Sequence, residues 1–140
     1  MQVYRITLKK WAKSLYASGR AARWNTDGYF VIYTASSRSL ASLENIVHRS
    51  GVGLRQIFEV MLIDIPDDIT MQDIKIKDLP SDWPNNYAPT QAIGNAWLTE
   101  RKYAILKVPS AIIPKEPNYL LNPNHPVSYT HLTLPTIYSV

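Results

Sequence analysis

No cysteine occurs among the 140 residues, which excludes a disulfide framework and any thiolate metal site. That absence fits a reducing compartment, and a cytoplasmic location is expected. No run approaches the ~20 apolar residues of a membrane span, and the opening Met1-Gln2-Val3-Tyr4-Arg5 reads as a strand, without the basic-then-apolar order of a signal peptide. A soluble protein without a membrane partner is expected. Neither a P-loop nor a Gly-x-Gly-x-x-Gly fingerprint is present, so the phosphate cradles of the usual nucleotide folds are excluded. No Gly-x-Ser-x-Gly elbow surrounds Ser110, which argues against a hydrolase nucleophile there. Histidine is scarce, at three residues, and these form no recognisable ligand set, so no metal is expected. Internal repeats and low-complexity segments are also missing.

With 46% hydrophobic and 19% charged residues, the chain can bury one compact core and is short for two domains. The net charge of +4 and pI near 9.3 would suit a polyanion. The cations, however, are dispersed along the chain, and groove-reading or basic-aromatic motifs are missing, so no direct nucleic-acid partner is expected.

Patterning gives a mixed α/β reading. Residues 2–9 alternate as a first strand, 11–22 form a loop or short helix, and Asn25-Thr26-Asp27-Gly28 has turn composition. Residues 29–34 are apolar on both faces, as in a central strand. Ser36 or Ser37 caps a helix running to about Arg49, with Leu40, Leu43 and Val47 as its expected buried stripe and Gly51-Val52-Gly53 ending it. Strands are expected at 58–65, 74–79, 103–108 and 118–121, a proline-rich loop at 80–89, and a helix at 90–101 with Ile93 and Trp97 inward.

Four positions carry candidate chemistry, and each has a plainer alternative. The guanidinium of Arg23 beside Trp24 suits a planar or phosphorylated ligand, or is a surface stack. Tyr33 either presents its ring to a ligand at a strand-to-helix junction or is a core tyrosine with a satisfied hydroxyl. Glu44, at the border of an apolar helix stripe, carries an uncompensated desolvation cost unless it holds a partner or a substrate; His48, one turn on, makes a structural pair as reasonable as a catalytic role. Ser110, after the rigid Val108-Pro109, is a ligand contact or a turn-stabilising hydroxyl.

The order of these signals resembles the RES domain family, toxins of bacterial toxin-antitoxin pairs named for an Arg, a Glu and a Ser. The likeness runs from Val3-Tyr4-Arg5-Ile6 through Arg23-Trp24-Asn25, Val31-Ile32-Tyr33-Thr34-Ala35 and Leu40-Ala41-Ser42-Leu43-Glu44. It resumes at Thr90-Gln91-Ala92-Ile93-Gly94-Asn95-Ala96-Trp97-Leu98, Val108-Pro109-Ser110 and Asn122-Pro123-Asn124-His125-Pro126. The resemblance implies a single domain with an ADP-ribosyltransferase-like fold that breaks the nicotinamide-ribose bond of NAD. NAD is then substrate rather than cofactor, water or inorganic phosphate is the acceptor, and an Xre-like antitoxin is the partner. It also implies roles: Arg23 and Glu44 catalytic, Arg5, Tyr33 and Ser110 substrate-binding, and His48 a partner behind Glu44. ADP-ribosyl transfer to a protein is the alternative chemistry, and a non-catalytic binding module on a decayed scaffold the alternative class.

Two departures stand out. Ala21-Ala22 replace the glycines usual before the family's Arg. Residues 127–140, beginning Val-Ser-Tyr-Thr-His-Leu-Thr-Leu-Pro-Thr, resemble a translated library-preparation adaptor. The expectation is therefore a RES domain at 1–126, lacking its native last strand, followed by a non-native tail at 127–140; a native strand at 129–134 is the alternative.

Overall fold

The computed structural model describes residues 1–9, 12, 17–49, 58–126 and 136–139, with side chains left aside at 48–49 and 136–139. Seven strands form one sheet among these residues: β1 (Gln2–Leu8), β2 (Ile32–Ala35), β3 (Phe58–Asp64), β4 (Met71–Asp73), β5 (Ile105–Pro109), β6 (Pro117–Leu121) and β7 (Thr136–Ser139). Their order is β4-β5-β6-β2-β1-β3-β7, antiparallel except for β4 beside β5. Two helices, α1 (Arg38–Arg49) and α2 (Tyr87–Glu100), complete the fold. The expected mixed α/β architecture is therefore observed, with β2 in the middle of the sheet. The glycine-rich stop at 51–53 and most of 11–22 lie outside the described residues, as does the possible strand at 129–134. Residues 136–139 of the adaptor-like segment pair with Glu59–Leu62 at the sheet edge.

Strand alternation explains the two sides of the core. Val3, Ile32, Ile63, Ile105, Tyr119 and Leu121 cluster on one face. Trp24, Trp83, Trp97, Leu106, Val108 and Leu120 cluster on the other, with Tyr33 packed against them. The pairing between β1 and β2 is unusual for a sheet centre. Whereas β1 and β3 match along their whole length, β1 and β2 share one register pair, Tyr4↔Ala35. Helix α1 bridges this seam, with Leu40 and Ala41 packed among Ala35, Tyr4 and Ile6.

Local chemistry fixes the helix starts. Ser37 Oγ accepts a hydrogen bond from the Leu40 N–H (3.1 Å), satisfying a donor of the first turn that has no intrahelical acceptor. The expected inner stripe is corrected, however. Leu40 is buried, but Leu43 and Val47 are 39% and 55% exposed. The small Ala41 lets the helix approach the sheet with its Leu40-Ala41-Glu44 line inward, which turns Leu43 and Val47 outward. Helix α2 begins at Tyr87, earlier than the prolines suggested, because Pro89 sits in the first turn, where a missing N–H costs nothing. Pairing beside β5 is made by Met71–Asp73. The expected strand at 74–79 is instead a 3-10 turn at Ile76–Asp78: Lys75, Ile76, Lys77 and Asp78 are all exposed, so only Ile74 and Leu79 have an apolar face to bury against. Strand β2 starts at Ile32, since Gly28 turns the chain at φ 89° and leaves Tyr29 and Phe30 on the surface.

Candidate functional site

The seam between β1 and β2 opens into a cavity of about 420 Å³, a size suited to a small-molecule ligand. Three consecutive residues of each strand line it, Tyr4, Arg5 and Ile6 from β1 and Tyr33, Thr34 and Ala35 from β2. Consecutive residues of both strands thus border one cavity, as fits strands joined at a single pair. Arg23, Glu44 and Asn45 close over it from the preceding loop and from α1.

Glu44 is half-buried on the inner line of α1. Ser110 Oγ donates to Glu44 Oε1 at 3.0 Å, and the same oxygen accepts from the N–H groups of Ile112 (3.0 Å) and Ile113 (3.1 Å). With both lone pairs taken by backbone donors, the single hydroxyl proton is committed to the carboxylate. Ser110 is fully buried and does not line the cavity; it stands behind Glu44 and fixes which oxygen turns away from the open side. His48 follows Glu44 by one helical turn, and its side chain lies outside the described set.

Arg23 is fixed by an aromatic and a carbonyl contact. Its guanidinium lies 4.7 Å from the centre of the Tyr87 ring and 5.8 Å from that of Trp83, and Nη1 donates to Pro84 O. One of its five donors is spent there, which orients the plane and leaves others for a ligand. Arg5 is half-buried, and desolvation lowers its pKa to about 10. A third guanidinium, that of Arg20, also lines the cavity. Three cations against the single carboxylate of Glu44 give the lining a marked preference for anionic ligands.

Tyr33 combines its two expected readings. Its side chain lines the cavity, while its hydroxyl accepts from the Trp24 N–H (3.2 Å) and donates to Asn25 Oδ1. Burial pushes its ionisation well above the ordinary tyrosine range, partly offset by the Trp24 N–H and the nearby Arg23 charge. The phenol is therefore a neutral, fixed wall.

Asn25, read from the sequence only as a turn and motif residue, is the hub of the site's hydrogen bonds. Fully buried, its Nδ2 donates to Arg20 O (2.8 Å), Thr26 O (3.2 Å) and Tyr29 O (2.9 Å), while Oδ1 receives Tyr33. Helix α2 carries this loop. Thr90 Oγ1 donates to Arg23 O (2.6 Å), Gln91 Nε2 to Ala22 O (2.9 Å), and Asn95 exchanges two bonds with Thr26. Gly94 makes the close approach possible, since a Cβ there would stand 1.7 Å from Trp24 O. The Thr90-Gln91 and Gly94-Asn95 pairs, four residues apart, are the one sequence signal that could have revealed this mounting face. Among the described residues no group of three or more His, Cys, Asp or Glu side chains could hold a metal ion, and no helix is long and apolar enough to cross a membrane.

Comparison with known proteins adds to this geometry. The Toxin Res of Yersinia enterocolitica is 38% identical over 131 residues, covering 89% of this chain and 86% of that protein. The Prs ADP-ribosylating toxin of a Sphingobium species is 38% identical over 108 residues, covering 74% and 67%. In fold, the chain is similar to one chain of the Mycobacterium tuberculosis MbcT-MbcA toxin-antitoxin complex, with a TM-score of 0.79 at 19% identity, covering 99% of this chain and 83% of that one. The RES domain family model matches residues 2–137, and with relatives this similar over most of their length the chain belongs to the RES domain family.

Proposed function

We propose that this protein is the toxin of a bacterial toxin-antitoxin pair and that it degrades NAD by cleaving the nicotinamide-ribose bond. The observation that carries the reading is the Ser110-held carboxylate of Glu44 on the wall of a cavity whose other charged lining residues are the arginines Arg5, Arg20 and Arg23. NAD presents a pyrophosphate, which guanidinium groups bind through charge-assisted, often bidentate hydrogen bonds. It also presents a ribose carbon that becomes cationic as nicotinamide departs.

In the first step the glycosidic C–N bond breaks and its electron pair leaves with nicotinamide, which becomes neutral. Positive charge then spreads over the ribose carbon and ring oxygen. A carboxylate already oriented by Ser110 stabilises that charge more than it stabilises the ground state, which is the condition for acceleration. Water or inorganic phosphate then bonds to the same carbon, water releasing a proton as it does so. Arg23 and Arg5 hold the pyrophosphate, the flat wall of Tyr33 borders the nicotinamide, and His48 supports Glu44 from the next turn. NAD serves as a consumed substrate, with no separate cofactor or metal in this scheme.

The test is nicotinamide release from NAD by the purified protein, with and without phosphate. Release that depends on Glu44 and Arg23 is expected, and both Glu44→Ala and Arg23→Ala should abolish growth inhibition while leaving the protein folded. No release under either condition rejects the reading. Transfer of ADP-ribose to a protein shares the first step, and the name of the Sphingobium relative favours keeping it; labelled NAD would then mark a protein band. An antitoxin is the proposed partner, supported by the toxin-antitoxin complex that shares the fold, and its Xre-like kind is proposed from the sequence resemblance alone.

A further inference from the structure

Among the described residues, Arg20 is the cavity cation whose guanidinium is held by no hydrogen bond, ion pair or ring contact. Arg23 is tied to Pro84 O and two aromatic rings, and Arg5 is sunk within the sheet seam. The Arg20 side chain, by contrast, is exposed while still lining the cavity. Among the described residues no carboxylate lies within ion-pair reach of it.

Its backbone, however, is pinned at every polar position around it. The Arg20 N–H donates to Ser18 Oγ (3.2 Å), its carbonyl accepts from Asn25 Nδ2 (2.8 Å), and the next N–H, of Ala21, donates to Asp27 Oδ1 (2.8 Å). Gly28 N–H closes the loop onto Gly19 O at 2.9 Å, and Gly19 makes the turn at φ 73° with the Phe30 ring filling the space a Cβ would need. Holding a surface arginine on so fixed a loop lowers the entropy cost of using it. Asn25 also bonds the Tyr33 hydroxyl, so the loop is registered to the cavity wall.

From this we infer that Arg20 is a phosphate-binding residue, its guanidinium taking a phosphate oxygen of the dinucleotide at the cavity rim. The inference rests on the NAD reading above. Arg20 is neither the carboxylate's partner nor a floor residue, so its contribution is to holding the substrate rather than to the bond-breaking step. An interaction of equal strength in ground and transition states changes KM and leaves kcat alone.

The full chain and its Arg20→Ala and Arg20→Lys variants should be compared in two assays. The first is nicotinamide release against NAD and against nicotinamide riboside, which has no phosphate. The second is calorimetric binding of ADP-ribose, which needs no turnover. Expected are a rise of about tenfold or more in KM for NAD with kcat within about twofold, a partial recovery in Arg20→Lys, and weakened ADP-ribose binding by a similar factor. Activity on nicotinamide riboside should not change. Equal KM for NAD in wild type and Arg20→Ala, or equal ADP-ribose binding, overturns the inference while leaving NAD cleavage standing. A fall in kcat on both substrates also overturns it, by placing Arg20 in the loop's integrity. If the wild type neither releases nicotinamide nor binds ADP-ribose, the reading of the site and the inference fall together.

Discussion

Gly94 offers a sharp test of how the site is mounted. Alanine at this position puts its methyl carbon 1.7 Å from Trp24 O and 2.8 Å from the carbonyl carbon, inside the 3.0 Å that real contacts respect. Both partners are backbone, so α2 and the loop carrying Arg23 must part by more than an ångström. Helix propensity alone would make the substitution favourable by about 1 kcal/mol. Against it stand overpacking, at roughly 1–3 kcal/mol, and the loosened bonds from Thr90, Gln91 and Asn95 to the loop, at about 1 kcal/mol each. The net loss is on the order of 3 kcal/mol. In urea unfolding with an m-value of about 2 kcal/mol/M, the midpoint should fall by roughly 1.5 M with little change in slope. Gly28→Ala is the control. It has φ 89° but nothing within 4 Å of the added carbon, so it should lose only the conformational ~1 kcal/mol. A Gly94→Ala protein as stable as wild type, or no worse than Gly28→Ala, would refute the argument that α2 and the arginine loop are held in backbone contact.

Ser110→Ala strands two backbone N–H groups and removes the serine's hydrogen bond to Glu44, so a stability loss of about 2 kcal/mol and at least a tenfold fall in kcat for nicotinamide release are expected; unchanged turnover would show that Glu44 does not depend on the serine. Tyr33→Phe should flatten the alkaline limb of stability. Burial holds the folded phenol protonated above its ordinary value of 10.0, so the unfolded chain ionises first and wild-type stability falls as pH rises past that value. Arg5, lowered to about 10 from 12.5, works in the opposite direction over that window, while Tyr119 shares the sign of Tyr33, and both are common to the two proteins. Equal slopes of unfolding free energy against pH in wild type and Tyr33→Phe would contradict the burial of the phenol. Deleting residues 127–140 removes the pairing of β7 with Glu59–Leu62 and should lower the unfolding midpoint; an unaltered midpoint would mean that this segment adds nothing to the fold.

What could be read from the sequence was local. The Ser37 cap, the turn at Gly28, and the short strands β1 and β6 are all set by neighbours within a few residues, and these features stand where patterning puts them. The face of α1 was not legible, because periodicity alone cannot tell Leu43 and Val47 from the smaller Ala41 when the closeness of the sheet decides which row goes inward. Pro89 misled for a related reason, since a proline that ends one helix can begin another. Within the site, Arg5, Arg23, Tyr33 and Glu44 are brought to one cavity, while Ser110 is set behind its wall. Arg20 and the hub role of Asn25 escaped notice because their importance lies in partners close in space that composition does not mark: a loop closed upon itself and bolted to a helix some seventy positions later.

The single rung between β1 and β2 has a mechanical meaning. It divides the sheet into two leaves, β4-β5-β6-β2 and β1-β3-β7, and α1 is the clasp that grips both through Leu40 and Ala41. Glu44 rides on that clasp, while Ser110 follows β5 in the first leaf and Arg5 belongs to the second. The carboxylate is thereby referenced to both halves at once. A molecule wedged along the hinge line would stiffen the joint it occupies, and a disturbance that splays the leaves would move the carboxylate and the arginine of β1 apart without touching either residue.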